Sequence, residues 1–234
     1  MEVDSVNKTA LRADMKMIGR DPILILLMLV PFLAVIFIKM LLYYLMPWLQ
    51  SELEFDLSIY YGYILGGCFL LSPMMLGTVA GFLMIDEKDG KIFELISITP
   101  TGYSGYMAHR LVLPFAGSII YTLLTYTILN IYTLNGISLA LIILLISLES
   151  VLVGAILFLF AEDKVQGLTY SKGMGVFIIL SMADLFGKAW LSILAGLIPF
   201  YWILRLIHNP KDVLVIVLAV LIHLVWVGVL MKKC

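Results

Sequence analysis

Six of the nine residues from Asp86 to Glu94 are charged: Asp86, Glu87, Lys88, Asp89, Lys91 and Glu94. Gly90 interrupts the run, Phe93 gives it an apolar tip, and Thr99-Pro100 ends it, because proline pushes the residue before it out of helical geometry. Apolar stretches flank the run on both sides. So many charges cannot lie in hydrocarbon, and the segment therefore belongs in water. Ile92 to Ile96 can form a short helix, after which Gly102, Ser104 and Gly105 loosen the chain. A short acidic helix with a hydrophobic tip suits docking onto a partner protein. Composition alone leaves an ordinary solvated loop equally open.

Three other residues could carry chemistry. Glu149 falls midway along an apolar run, where a carboxylate costs roughly 2.5 kcal/mol or more. It is expected to face a substrate path or a partner; a protonated or hydrogen-bonded packing group is the alternative. Ser104 sits in Gly102-Tyr103-Ser104-Gly105, similar to the G-x-S-G signature of rhomboid-type intramembrane serine proteases, with His223 in the last apolar run. A serine nucleophile needs an adjacent base, but Ser104 follows the charged run instead of lying within an apolar segment. No second histidine stands at helical spacing from His223, so no metal site is predicted. The Gly-Lys pairs at 90–91 and 187–188 lack the glycine and hydroxyl of a phosphate-binding loop. Any ATP chemistry must therefore belong to another chain. Cys68 and Cys234 form no redox, metal, disulfide or prenylation pattern.

The elements that position these residues are membrane helices. The 234-residue chain is 62% hydrophobic and 13% charged, about half the charge of a soluble domain, with a net charge of −1. It contains several runs able to cross ~30 Å of hydrocarbon. Nothing in this balance suggests nucleic acid. The expected fold is all-α and polytopic, a single transmembrane domain over residues 1–234. The expected spans are 22–45, 59–85, 106–132, 137–160, 172–184 and 212–230, of which the fifth is too short to cross alone. Residues 1–20 are polar and charged, so the first apolar run is expected to be a retained anchor. Asp21-Pro22 reads as an N-cap followed by proline at the first helical position.

Lys8, Arg12, Lys16 and Arg20 recur every four residues, with Val6, Ala10, Ala13 and Met17 on another side. That spacing fits a helix lying on the membrane surface or a solvated amphipathic one. Eleven of the fifteen basic residues fall on one side of the membrane, leaving Lys39, Lys188, Arg205 and Lys211. Both termini and the charged run are therefore expected in the cytosol. Residues 182–211 mix Asp184, Trp190, Pro199, Trp202 and Arg205 with an apolar stretch. They suit an element that enters the membrane and returns; a true span over 189–207 would give seven crossings. Gly62-x-x-x-Gly66 and Gly77-x-x-x-Gly81 allow close helix approach, while Pro31, Pro73 and Pro114 invite kinks.

The run Asp86-Glu87-Lys88-Asp89…Glu94-Leu95-Ile96-x-x-Thr99-Pro100…Gly105-Tyr106-x-x-x-Arg110-Leu111 resembles the stretch after the second span in type-2 ABC exporter permeases. The resemblance implies an interfacial helix at 1–21, a cytosolic coupling segment at 86–105, an outer re-entrant region at 185–209 and six spans. Gly90 stands one position earlier than the family's usual glycine. By the same resemblance, Asp86, Glu87, Asp89, Gly90, Phe93, Glu94, Thr99 and Pro100 would couple to a separate ATP-binding subunit, with Tyr103 and Arg110 as supports. ATP and Mg would be bound by that subunit, and this chain would hold no cofactor and perform no hydrolysis. A second permease chain, identical or homologous, would complete the pathway in a prokaryotic cell membrane. The implied activity is efflux of a hydrophobic or amphiphilic substrate: a drug, an antimicrobial peptide or a lipid. A non-transporting membrane scaffold or channel is the remaining alternative.

Overall fold

The computed structural model describes residues 14–90 and 102–233, with side chains from Gly105 onward in the second stretch. Residues 14–18 are helical. Helix α1 then runs Pro22–Leu53. Asp21, in extended backbone, accepts hydrogen bonds from the amides of Ile23 (2.9 Å) and Leu24 (3.4 Å). Pro22 occupies the position where a missing N–H costs nothing. A 3-10 turn at Leu57–Tyr60, capped by Asp56, leads into α2, Tyr61–Asp89. Helices α3 (Gly102–Leu129), α4 (Gly136–Phe160) and α5 (Lys164–Ser181) follow. Two short helices, α6 (Ala189–Ala195) and α7 (Pro199–His208), precede the last, α8 (Val213–Met231).

The described residues fold as helices, and five of these segments are long and apolar enough to cross a membrane: 22–53, 57–89, 105–129, 136–160 and 213–231. The expected fifth span, 172–184, lies largely within α5, which starts earlier, at Lys164. Its first half carries Lys164, Gln166, Thr169, Ser171 and Lys172, and this polarity keeps α5 out of that group of five. Between α6 and α7 the chain turns through 118°, so 189–208 does not run as one straight helix.

Helix α2 is buried along nearly its whole length, whereas α1 and α8 present apolar side chains outward. The two glycine pairs explain how α2 takes the centre. A Cβ at Gly77 would stand 2.6 Å from the Ser150 carbonyl oxygen and 2.6 Å from Cβ of Val153. One at Gly81 would meet Cβ of Leu157 at 2.7 Å, so α2 and α4 touch nearly backbone to backbone. Gly62 and Gly66 serve α7 in the same way, against His208 and Leu204.

The irregular chain between α6 and α7 is satisfied by side chains. Trp202 Nε1 donates to the Gly196 carbonyl at 2.9 Å, and Trp226 Nε1, from α8, donates to Leu197 at 2.9 Å. Asp184 ties the two short helices together. It accepts from the hydroxyls of Ser192 (2.7 Å) and Tyr201 (2.9 Å), with Arg205 Nε 3.3 Å from its other oxygen. Non-helical backbone survives at membrane depth only with such internal partners. Lys39 donates to the Ile128 carbonyl in the last turn of α3.

Gly77→Ala should therefore destabilise the purified protein. The expected overpacking cost of about 1–3 kcal/mol exceeds the gain of about 1 kcal/mol in helix propensity. Gly173→Ala, with nothing within 4 Å of the added carbon, should leave thermal stability equal or higher. Equal melting temperatures for the Gly77 variant and the parent would refute the contact.

Candidate functional site: the charged end of the bundle

Asp86 and Glu87 are neighbours on the last turns of α2, about 100° apart around the helix. Each meets a different cation. Glu87 is buried and receives a two-pronged hydrogen bond from Arg110 of α3, with Nε at 3.0 Å from Oε2 and Nη2 on Oε1. The Tyr106 hydroxyl, one turn earlier on α3, also donates to Glu87 Oε2. The remaining arm of the guanidinium, Nη1, makes a close ion pair with Asp14, itself buried in the helical stretch before α1. Two carboxylates thus share one guanidinium, and the tyrosine proton offsets part of the excess negative charge. A forked arginine suits this arrangement because its planar donors serve two acceptors at fixed angles.

Asp86 meets Lys164, the first residue of α5, at 2.8 Å, and Lys164 also reaches Asp21 at 2.8 Å. Asp21 is the same residue that caps α1. Two cations, each shared between a carboxylate of α2 and one preceding α1, therefore form a double brace. It joins the N-terminal stretch, α2, α3 and α5 at one end of the bundle.

The outer half of the brace responds to pH in a defined sense. The hydrogen bond from Lys164 holds the Asp21 carboxyl below its ordinary range, against a smaller upward push from burial. Burial is the largest single influence on Lys164 and pushes it down, but the hydrogen bonds to Asp21 and Asp86 and the charges of those two carboxylates together raise it. A lowered carboxylate contributes stability above its unfolded pKa and loses it as pH falls through the lowered value. A raised lysine contributes below its unfolded pKa and loses it as pH climbs through the raised value. The bridge is therefore complete throughout the neutral range.

Of the expected coupling residues, Asp86 and Glu87 serve this brace. Asp89 is exposed at the helix end, and the Gly90 amide closes on the Asp86 carbonyl at 2.9 Å. Phe93, Glu94, Thr99 and Pro100 lie outside the described residues. Glu149 is fully enclosed between α4 and α8, its Oε1 3.3 Å from Nε2 of His223. His223, the base a protease reading would need beside Ser104, has one ring nitrogen on Glu149 and the other on the Ala219 carbonyl. Sequence reading missed Asp14, Tyr106 and Lys164 as site residues. Asp14 is a lone acid within the stretch that carries Arg12, Lys16 and Arg20, an oddity that could have singled it out.

The brace consists of opposed charges with no nucleophile poised among them. It can bind, orient and transmit. The model of one family, "Fluoroquinolones export permease protein Rv2686c-like", matches residues 14–231. The chain belongs to this Rv2686c-like export permease family. It is thereby an ABC transporter permease, the class that residues 86–111 resemble, and a multi-pass membrane protein. Fluoroquinolones export permease protein Rv2686c of Mycobacterium tuberculosis strain H37Rv is 27% identical over 204 residues, which cover 86% of this chain and 81% of the relative. Fluoroquinolones export permease protein MT2760 of M. tuberculosis strain CDC 1551 gives the same figures. No solved structure matches the chain. The family match starts at Asp14, the most N-terminal residue of the brace, and runs to the last residue of α8.

The two halves of the brace should differ in strength. Arg110→Ala strands Glu87 and Asp14 as buried charges and should cost about 3–5 kcal/mol. Lys164→Ala removes a pair that is a quarter to a third exposed and should cost about 1 kcal/mol or less. Thermal unfolding of the two variants in the same detergent checks the order.

Proposed function

We propose that this chain is the membrane-spanning subunit of an ATP-driven drug exporter whose ATPase is a separate polypeptide. The observation that carries the reading is the match of residues 14–231 to a family of export permeases. Helices α1, α2, α3, α4, α5 and α8 are the six spans, and the bent pair α6–α7 is a re-entrant element on the outer side. Both termini lie in the cytosol of a prokaryotic cell, together with the charged end, as the basic residues favour. The stretch before α1 is the interfacial helix. Segment 86–105 docks on the ATPase through the exposed Asp89 and through residues 93–100. ATP and Mg bind to that partner, and a second permease chain completes the pathway.

The double brace supports this assignment mechanically. Segment 91–101 leaves α2 and enters α3, and Glu87 and Arg110 clamp those two helices to each other. A pull on the segment then moves α2 and α3 as one body, with α5 and the N-terminal stretch attached. The substrate class follows the names of the relatives, fluoroquinolone export permeases. An apolar cavity of about 320 Å³ between α1 and α2, lined by Ile38, Leu42, Ile64, Cys68, Leu71 and Met182, suits the aromatic part of such a drug.

The test is co-purification with a stand-alone ABC ATPase subunit from the same cell, followed by hydrolysis assays in proteoliposomes. A fluoroquinolone should stimulate hydrolysis. Glu94→Lys should weaken association with the ATPase at least about tenfold, equivalent to 1.4 kcal/mol. Full export by the permease alone would overturn the proposal, as would activity abolished by Ser104→Ala yet indifferent to Glu94→Lys.

A further inference from the structure

Glu149 is the only ionisable residue in α4, and His223 is the only one in α8. Both are completely buried, and they meet at 3.3 Å. Helix α4 also packs against α2, α3, α5 and α7, and His223 is the ionisable side chain that contacts Glu149 among the described residues. The pair must therefore balance its own charge.

The hydrogen bonds count the protons. His223 Nδ1 lies 2.7 Å from the Ala219 carbonyl oxygen, which can only accept, so Nδ1 carries a hydrogen. Nε2 faces Oε1 of Glu149. A bare imidazole nitrogen and a carboxylate oxygen are both acceptors, so one proton must lie between them. It belongs either to the imidazole, giving an ion pair, or to the carboxyl, giving a neutral hydrogen bond. The other carboxylate oxygen decides between these states. Oε2 is buried, and no donor among the described residues reaches it. In an ion pair that oxygen would hold half a negative charge with nothing to stabilise it. In a carboxylic acid it is an ordinary carbonyl oxygen, and its lone state costs far less.

We propose that Glu149 and His223 form a one-proton site at the core of the membrane domain, in which the shared proton resides on the Glu149 carboxyl and is donated to His223 Nε2. This goes beyond the export reading and does not depend on it. The site fastens α8, which otherwise packs on α4 and α7, with a bond that places no net charge in hydrocarbon. If α8 shifts during work, Glu149 keeps the proton and neither helix exposes an ion. Glu149 and His223 are positioning residues for α8.

The experiment is infrared spectroscopy of the full chain in lipid nanodiscs, with carbon-13-labelled glutamate separating glutamyl from aspartyl bands. A protonated glutamyl carboxyl band is expected at neutral pH, and it should be absent in Glu149→Gln. That variant should also keep the parent's melting temperature, because a glutamine amide donates to Nε2 as the acid does. Glu149→Ala, which leaves Nε2 unpaired, should unfold earlier. Absence of the band from the parent protein overturns the proposal. So does a Glu149→Gln variant as unstable as Glu149→Ala, the result expected of an ion pair. Should Glu149→Gln fail to assemble, the parent's band at neutral pH decides alone.

Discussion

The near-contact of the α2 and α4 backbones at Gly77 and Gly81 is the constraint on which the rest of the bundle depends. Lipid supplies no hydrophobic force to press helices together, because its tails are as apolar as leucine. Close packing and polar ties must do that work. Once α2 lies flush against α4, α3 and α5 can pack on its remaining faces, and its C-terminal turn arrives in the middle of the charged end. Asp86 and Glu87 then have cations on either side, from α5 and α3. Had α2 been peripheral, the same two carboxylates would face water and brace nothing.

Much of this arrangement was legible in the sequence because it is written in local patterns. The Asp21-Pro22 cap, the five long apolar helices and the two glycine pairs all follow from spacing within a few turns. Residues 182–211 announced irregular structure through their glycines, prolines and tryptophans, and the 118° turn lies within them. The start of α5 was not legible, because a hydropathy reading cannot distinguish a polar helical turn from a loop. Lys164 to Lys172 is polar yet helical, held by the Asp163 cap on the Gln166 amide.

The brace was the least legible feature. Arg110 is separated from Asp14 by 96 residues and from Glu87 by 23, and Lys164 from Asp21 by 143. No periodicity connects such positions. Reading along the chain, Asp21 is only a cap and Arg110 only a basic residue near a membrane boundary. Both roles are real, and the second role of each appears only when α2 places a carboxylate beside it. Glu149 and His223 show the same limit. Each stands alone in an apolar helix, so each looked like a question about substrate or metal until the fold supplied the other.

The polar ties differ in kind according to depth, and dielectric explains why. At the charged end, where water reaches Lys164 and Asp21, full ion pairs cost little to assemble and give directional grip. Arg110, more enclosed, is surrounded by two carboxylates and a tyrosine, because a buried charge survives only with its hydrogen-bonding capacity filled. In the bent pair neutral indole N–H groups serve the backbone carbonyls, beside the Asp184 carboxylate with its two hydroxyl donors and Arg205. At the α4–α8 contact a single carboxyl meets a single imidazole, and one proton suffices to cancel the charge of both. A permease has to move its helices against one another, so each tie must also be affordable to strain. Ionic ties join α2, α3 and α5 at the charged end, and the neutral one holds α8, which turns most of its surface outward.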